Sequence, residues 1–294
     1  MSEYWYVSDL IISLTTIPPR MDKIAPTLRD LLNQSADVKE IRLYIPRSYK
    51  RFDFTPDDIP ALPEGITLCL VDEDLGPATK ILPAVRDFQG QDVEILFCDD
   101  DQPYDRGWAQ RFLDARKLQP GCCIAGKGYD LEFRPSGAQY YIERDHWPRA
   151  ERRHKGIGYR LLRLATLLQV KPRPYIRDGY VDILEGFGGV MIRPEFIPPE
   201  AFDIPDILWT VDDPWLSGHL TRNQIPIWLF SDTPAASKPY RAHFSDRLGA
   251  FVYKDHGRLK ADTAVIEYFR ETYGIWQDRE PAHSASHGAA RQAG

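Results

Sequence analysis

Residues Val93–Asp101 read VEILFCDDD, and the fold class turns on the junction inside that stretch. Val93–Cys98 is an apolar run broken only by Glu94, the pattern of a strand covered on both faces of a parallel sheet. Three carboxylates follow it with no spacer. In extended backbone, alternation puts Asp99 and Asp101 on one side and Asp100 on the other. Adjacent carboxylates repel one another and are costly to desolvate, so a cation is their expected partner. In an open α/β sheet, ligands bind beyond the carboxyl ends of the strands. Two same-side carboxylates at that place suit Mg²⁺ or Mn²⁺ held between protein and a diphosphate. Acidic loops are common, so the triplet read alone also fits a solvated turn.

Working outward toward the N-terminus, the chain alternates strand-like and helix-like segments. Leu10–Thr16 (LIISLTT) is a β-branched run stopped by Pro18 and Pro19, and 24–34 carries Leu28, Leu31 and Leu32 at helical spacing. Ile41–Pro46 and Ile66–Val71 read as further strands, and LGPATKILPAVRDF reads as a turn opening a helix. Strand, crossover helix and strand in this rhythm predict a Rossmann-like α/β unit up to about residue 125. Asp72 and Asp74 before that helix fit N-terminal helix charge as readily as a ligand contact.

Toward the C-terminus the rhythm loosens. CCIAGKGYDLEF (122–133) is expected to form one or two strands. Tyr180–Ile192 reads as strand, Gly-rich turn and strand, for which a tight hairpin is the plain interpretation. Asp212–Gln224 reads as a helix with Pro214 at its start, Ile225–Phe230 as the last strong strand, and TAVIEYFRETYG as a helix stopped by Gly274. The expected organisation is one catalytic domain over 1–278, with a donor-binding half over about 1–125 and an acceptor-side half over about 126–278. The small, polar stretch 279–294 is expected to be a disordered tail.

The chain has 294 residues and a net charge of −6, which argues against a nucleic-acid partner. Its four cysteines show no CxxC spacing and read as small buried hydrophobes of a reducing compartment. MSEYWYVSDL lacks the basic-then-apolar order of a signal peptide, so a cytoplasmic protein is expected. One segment departs from the average: 144–177 holds ten Lys and Arg against two acidic residues, about +8, together with Leu161, Leu162, Leu164, Leu167 and Leu168. Such a stretch can lie on an anionic membrane as a peripheral contact. The alternative is a core-facing helix with a solvated basic face.

The order LIISLTTIPPR, IRLYIP, VDEDLGPATK, ILFCDDD resembles nucleotide-sugar-dependent glycosyltransferases of the GT-A fold, clearly over about 10–105 and more loosely over 180–230. The resemblance implies a GT-A α/β fold with a mixed, mostly parallel central sheet. It implies a DxD motif at Asp99, Asp100 and Asp101 that binds ribose and a divalent metal, Mn²⁺ or Mg²⁺, on the donor diphosphate. Thr15, Thr16 and Arg20 would border the nucleotide, and Asp74, Gly76, Pro77 and Lys80 would flank base and phosphates. Arg20 and Lys80 fall just after strands, where cations could neutralise a diphosphate.

In inverting members an acidic pair opening a helix, some twenty residues after a Gly-rich loop, supplies the general base. Here Gly186, Gly188 and Gly189 precede Asp212 and Asp213, of which Asp213 is preferred and Glu185 is the reserve. A helix cap is the simpler role for that pair. A third metal ligand is expected at His243, with His256 as rival, whereas His219 in the apolar WLSGHL segment reads as structural. The expected reaction moves a sugar, from a UDP-sugar, to a glycan or glycolipid hydroxyl. A nucleotidyltransferase is opposed by TTIPPR, which lacks glycine where such enzymes carry a Gly-rich loop. A non-catalytic nucleotide-sugar binder is opposed by the acidic base candidates. A dinucleotide oxidoreductase is opposed by the absence of GxGxxG.

Overall fold

The computed structural model describes residues 8–131, 144–154, 156–167, 173–233, 240, 252–253 and 256–277. In chain order the strands are β1 (Asp9–Thr15), β2 (Glu40–Pro46), β3 (Ile66–Val71), β4 (Val93–Phe97), β5 (Cys123–Ala125), β6 (Gly128–Tyr129), β7 (Glu151–Arg152), β8 (Tyr175–Arg177), β9 (Gly179–Val181), β10 (Ile183–Leu184), β11 (Val190–Ile192), β12 (Ile227–Leu229), β13 (Val252–Tyr253) and β14 (His256–Gly257). The helices are α1 (Ala25–Leu32), α2 (Leu82–Asp87), α3 (Trp108–Leu118), α4 (Ile157–Ala165), α5 (Asp213–Arg222) and α6 (Arg258–Tyr273).

Eight strands form one sheet in the order β3-β2-β1-β4-β11-β5-β12-β9. β1 to β4 run parallel to one another. β11 enters antiparallel between β4 and β5, β12 is parallel to β5, and β9 closes the edge antiparallel to β12. The protein is thus an α/β fold on a Rossmann-like, mixed and mostly parallel sheet, as the sequence predicts.

Alternation along β1 explains how both faces are covered. Ile11 packs with Ile95, Phe97 and Val190 under α2 and α5. Leu10, Ile12 and Leu14 pack with Leu96 and Met191 under α1 and α3. A third cluster joins α5 to α6 through Trp215, Val265, Ile266 and Phe269. Arg116 of α3 is buried, and its Nε lies 2.9 Å from Glu94 of β4 while its Nη2 donates to the Met191 carbonyl of β11 at 3.3 Å. This buried pair fastens the inserted strand to its neighbour.

Several local expectations change. The strand ends at Phe97, so the carboxylate triplet enters a turn and alternation does not run through it. The 180–192 stretch is not a hairpin, because β10 pairs with β6 while β11 pairs with β4 and β5. Helix α3 was not foreseen. Two leucines of α4 do not face the core: Leu161 and Leu164 are 60% and 69% exposed. No described helix is long and apolar enough to cross a membrane. The stretch 279–294 lies outside the described residues, as does His243.

Candidate functional site

The sheet's polarity gathers one edge. The carboxyl ends of β1, β4 and β5 lie there, and β11 starts there, because Val190 pairs with both Phe97 and Ala125. Thr16, the Asp99–Asp101 turn, Lys127 and the Gly186–Gly189 loop therefore meet at one rim. The 3-10 turn Gly76–Lys80 leads into α2 beside β1, where Ser13 Oγ donates to the Lys80 carbonyl at 2.6 Å.

Lys80 is the hub. Its side chain is 6% exposed, and Nζ sits 2.7 Å from Asp99 Oδ1 and 2.8 Å from Asp212 Oδ2. Burial pulls its pKa down, but the charges of Asp212, Asp99 and Asp213 outweigh that and hold the ammonium well above the ordinary lysine value. Helix α5 begins at Asp213, and Asp212, its N-cap residue, makes no side-chain capping bond. Asp212 turns inward to Lys80 and is buried. Asp213 is half-buried, and its Oδ1 accepts the Gly186 amide at 2.8 Å. A Cβ at Gly186 would lie 2.7 Å from Lys80 Nζ, so a larger residue there would have to displace the lysine from its place between the carboxylates. Gly189 has φ +88°, and a Cβ there would meet Trp108 at 2.5 Å. Trp108 Nε1 donates to the Gly188 carbonyl at 3.2 Å, so α3 holds the loop from behind.

A second network lies on Arg20. Its Nη1 donates to Asp100 Oδ1 at 2.8 Å and to Asp101 Oδ2 at 3.1 Å. Asp100 Oδ2 also accepts Thr16 Oγ1 at 2.5 Å, and Asp101 Oδ1 accepts Gln102 Nε2 at 2.8 Å. Burial, aided by Asp101 and Asp99, pushes the Asp100 carboxyl up to about 6 against the opposing pull of Arg20 and Thr16. The triplet is thus divided: Asp99 faces Lys80 and Asp212, whereas Asp100 and Asp101 share Arg20. The same-side grouping of Asp99 with Asp101 is replaced by this turn geometry.

Two expected contacts are part of the scaffold. Thr15 Oγ1 donates across the sheet to the Tyr44 carbonyl at 2.7 Å. Both Asp74 oxygens accept backbone amides, Gly76 at 2.9 Å and Lys50 at 2.8 Å, and Trp209 Nε1 donates to the Asp74 carbonyl at 2.9 Å. Thr16, one residue on, is the threonine that reaches the carboxylates.

Sequence reasoning passed over Lys127, just beyond β5. It is 9% exposed, its ammonium lies 4.6 Å above the Phe187 ring, and Gly188 packs on its stem. Burial lowers its pKa against the attraction of Glu185. The only local signal was a lysine directly after an apolar strand, in CIAGK.

Among the described residues no three His, Cys, Asp or Glu side chains converge as a metal cage. His256 contributes its backbone to β14. His219 is fully buried between Trp215 and Phe269, which fits the structural role expected of it. The carboxylates nevertheless fit a hard divalent ion of the kind that takes one or two protein oxygens and completes its shell with phosphate and water. Asp99 is the accessible one, with its side chain 32% exposed, while Asp101 is spoken for by Arg20 and Gln102.

No protein-family profile matches the chain, and no curated protein matches it in sequence. Among solved structures, the crystal structure of S. aureus TarS 1-349 is similar at 13% identity and a TM-score of 0.39, over 80% of this chain. The chain spans 60% of that structure's length.

Proposed function

We propose that this chain is a glycosyltransferase of the GT-A type that moves a sugar, from a UDP-sugar, to a hydroxyl of a glycan or glycolipid with inversion. The observation that carries the reading is the Lys80 hub. One buried ammonium holds Asp99 at the rim and Asp212 below it, while Asp213 stands partly open beside a glycine loop. Asp213, oriented by the Gly186 amide, takes the proton of the acceptor hydroxyl as its oxygen attacks the anomeric carbon. Arg20 and Lys127, on the two flanks, supply positive charge toward the departing diphosphate. Lys80 holds Asp99 and Asp212 in place through its two ion pairs. Asp99, with Asp101 behind it, would hold a Mn²⁺ or Mg²⁺ ion, which when bound supplies Lewis-acid stabilisation of the leaving group.

The test is a thermal-shift screen of nucleotide sugars with and without manganese, followed by a transfer assay with the donor that binds. Asp213→Asn is expected to lower kcat by about 10²- to 10⁴-fold with donor Kd unchanged. Unchanged turnover would remove Asp213 as the base. No shift with any nucleotide sugar would end the reading altogether.

A further inference from the structure

Nine large apolar side chains stand exposed among the described residues, and six of them fall in one segment: Trp147, Ile157, Leu161, Leu164, Leu167 and Ile176. The concentration is ordered by a helix. Ile157, Leu161 and Leu164 occupy positions i, i+4 and i+7 of α4 and form one stripe. Their exposures of 78%, 60% and 69% mean that none of the described residues covers that stripe. Single exposed leucines need no explanation, but a continuous row on one helix face does.

The charge around the stripe identifies its occupant. Arg152, Arg153 and Arg160 are exposed, and Arg163 is half-buried at the helix flank. The segment 144–177 carries about +8 while the whole chain carries −6, so the remainder is strongly negative. An anionic surface therefore attracts this face and repels the rest, which sets a single docking orientation. A second copy of the chain meeting the same face across a two-fold axis would bring two strongly basic patches together. The base of the segment is fixed to the body: Arg149 pairs with Asp130 and, at 2.6 Å, with Asp182, and Arg144 reaches Asp182 at 2.9 Å. We infer that α4 and its flanking arginines form a docking face for an anionic lipid bilayer, the leucine stripe entering the headgroup region and the arginines meeting lipid phosphates. The inference is independent of the donor chemistry proposed above.

The experiment is co-sedimentation of the full chain with vesicles of phosphatidylcholine containing 30% phosphatidylserine, with pure phosphatidylcholine as control. Binding is expected only to the anionic vesicles and is expected to fall as salt is raised. Each arginine at such a surface contributes about fivefold in affinity, so Arg160→Glu with Arg163→Glu should weaken binding at least tenfold. Leu161→Glu should weaken it comparably, whereas Leu118→Glu, at a 77% exposed site on α3, should leave it unchanged. Thermal melts of all variants control for folding, and the salt dependence of the unaltered chain reads the same face without mutation. Absence of binding to anionic vesicles, or binding indifferent to the α4 variants, overturns the inference. Concentration-dependent dimerisation abolished by Leu161→Glu, without vesicle binding, would overturn it in favour of a second copy.

Discussion

Asp100 and Arg20 set a charge balance that a change of pH can tip. With its carboxyl pushed up to about 6 by burial and by its acidic neighbours, Asp100 is ionised at pH 7.5 and protonated at pH 5.5. Its folded value lies above the ordinary carboxyl value, so its ionisation works against the fold as pH rises through 6. Protonation removes one of the two negative partners of Arg20 and leaves that guanidinium a stronger anion site. A sugar nucleotide keeps a constant diphosphate charge over this range. Metal-free affinity for the UDP-sugar should therefore rise about fivefold, roughly 1 kcal/mol, from pH 7.5 to 5.5. Asp100→Asn should sit at the high-affinity plateau throughout. Calorimetric titration at several pH values checks this, and a flat profile in the unaltered chain would sink it.

Helix α5 links the site to the body of the protein. Its first residue, Asp213, serves the glycine loop, while His219 two turns on is sealed between Trp215, Phe269 and the rest of the α6 interface. Burial drops the His219 pKa from 6.5 to about 4. The folded state keeps this ring neutral while the unfolded chain protonates it near pH 6.5, so the unfolded state binds more protons. Stability should fall as pH drops from 6.5 to 4, by up to roughly 3 kcal/mol in total. His219→Leu should remove that slope in urea unfolding, and an unchanged slope would show that other groups produce it. The same element shows where sequence reading succeeds. WLSGHL is apolar enough to place His219 inside, and Asp213 beside Pro214 marks a helix start. β1 to β4 were legible because each is a β-branched run bounded by turn residues. Helix α3 was hidden because its buried face, Trp108, Ala109, Phe112, Ala115 and Arg116, contains two alanines and an arginine. Lys127 was hidden for a different reason: its place beside Phe187 and Gly188 comes from sixty residues of intervening chain.

At the scale of the whole molecule, the insertion of β11 decides how the halves depend on each other. Reading along the chain predicts a donor-binding half ending near 125 and an acceptor half after it. The sheet does not respect that division. β4 and β5, both from the first half, do not pair with each other; β11, from the second half, lies between them and bonds to both. Val190, Met191 and Ile192 are each at most 1% exposed and belong to the clusters on the two faces of the sheet. A fragment of residues 1–125 would leave the inner edge of β4 unpaired, strip Arg116 of the Met191 carbonyl, and detach β5 from its sheet partners. Unpaired strand edges and uncovered apolar faces favour aggregation over independent folding. The full chain is therefore expected to unfold in one transition, with far-ultraviolet dichroism and tryptophan fluorescence coinciding in urea. The 1–125 fragment is expected to show no cooperative melt. A fragment that melts cooperatively by itself would mean that β1–β4 form a self-sufficient unit onto which β11 merely docks. The glycine loop would then be an adjustable lid on a preformed site, because Gly186–Gly189 is the segment that leads into β11.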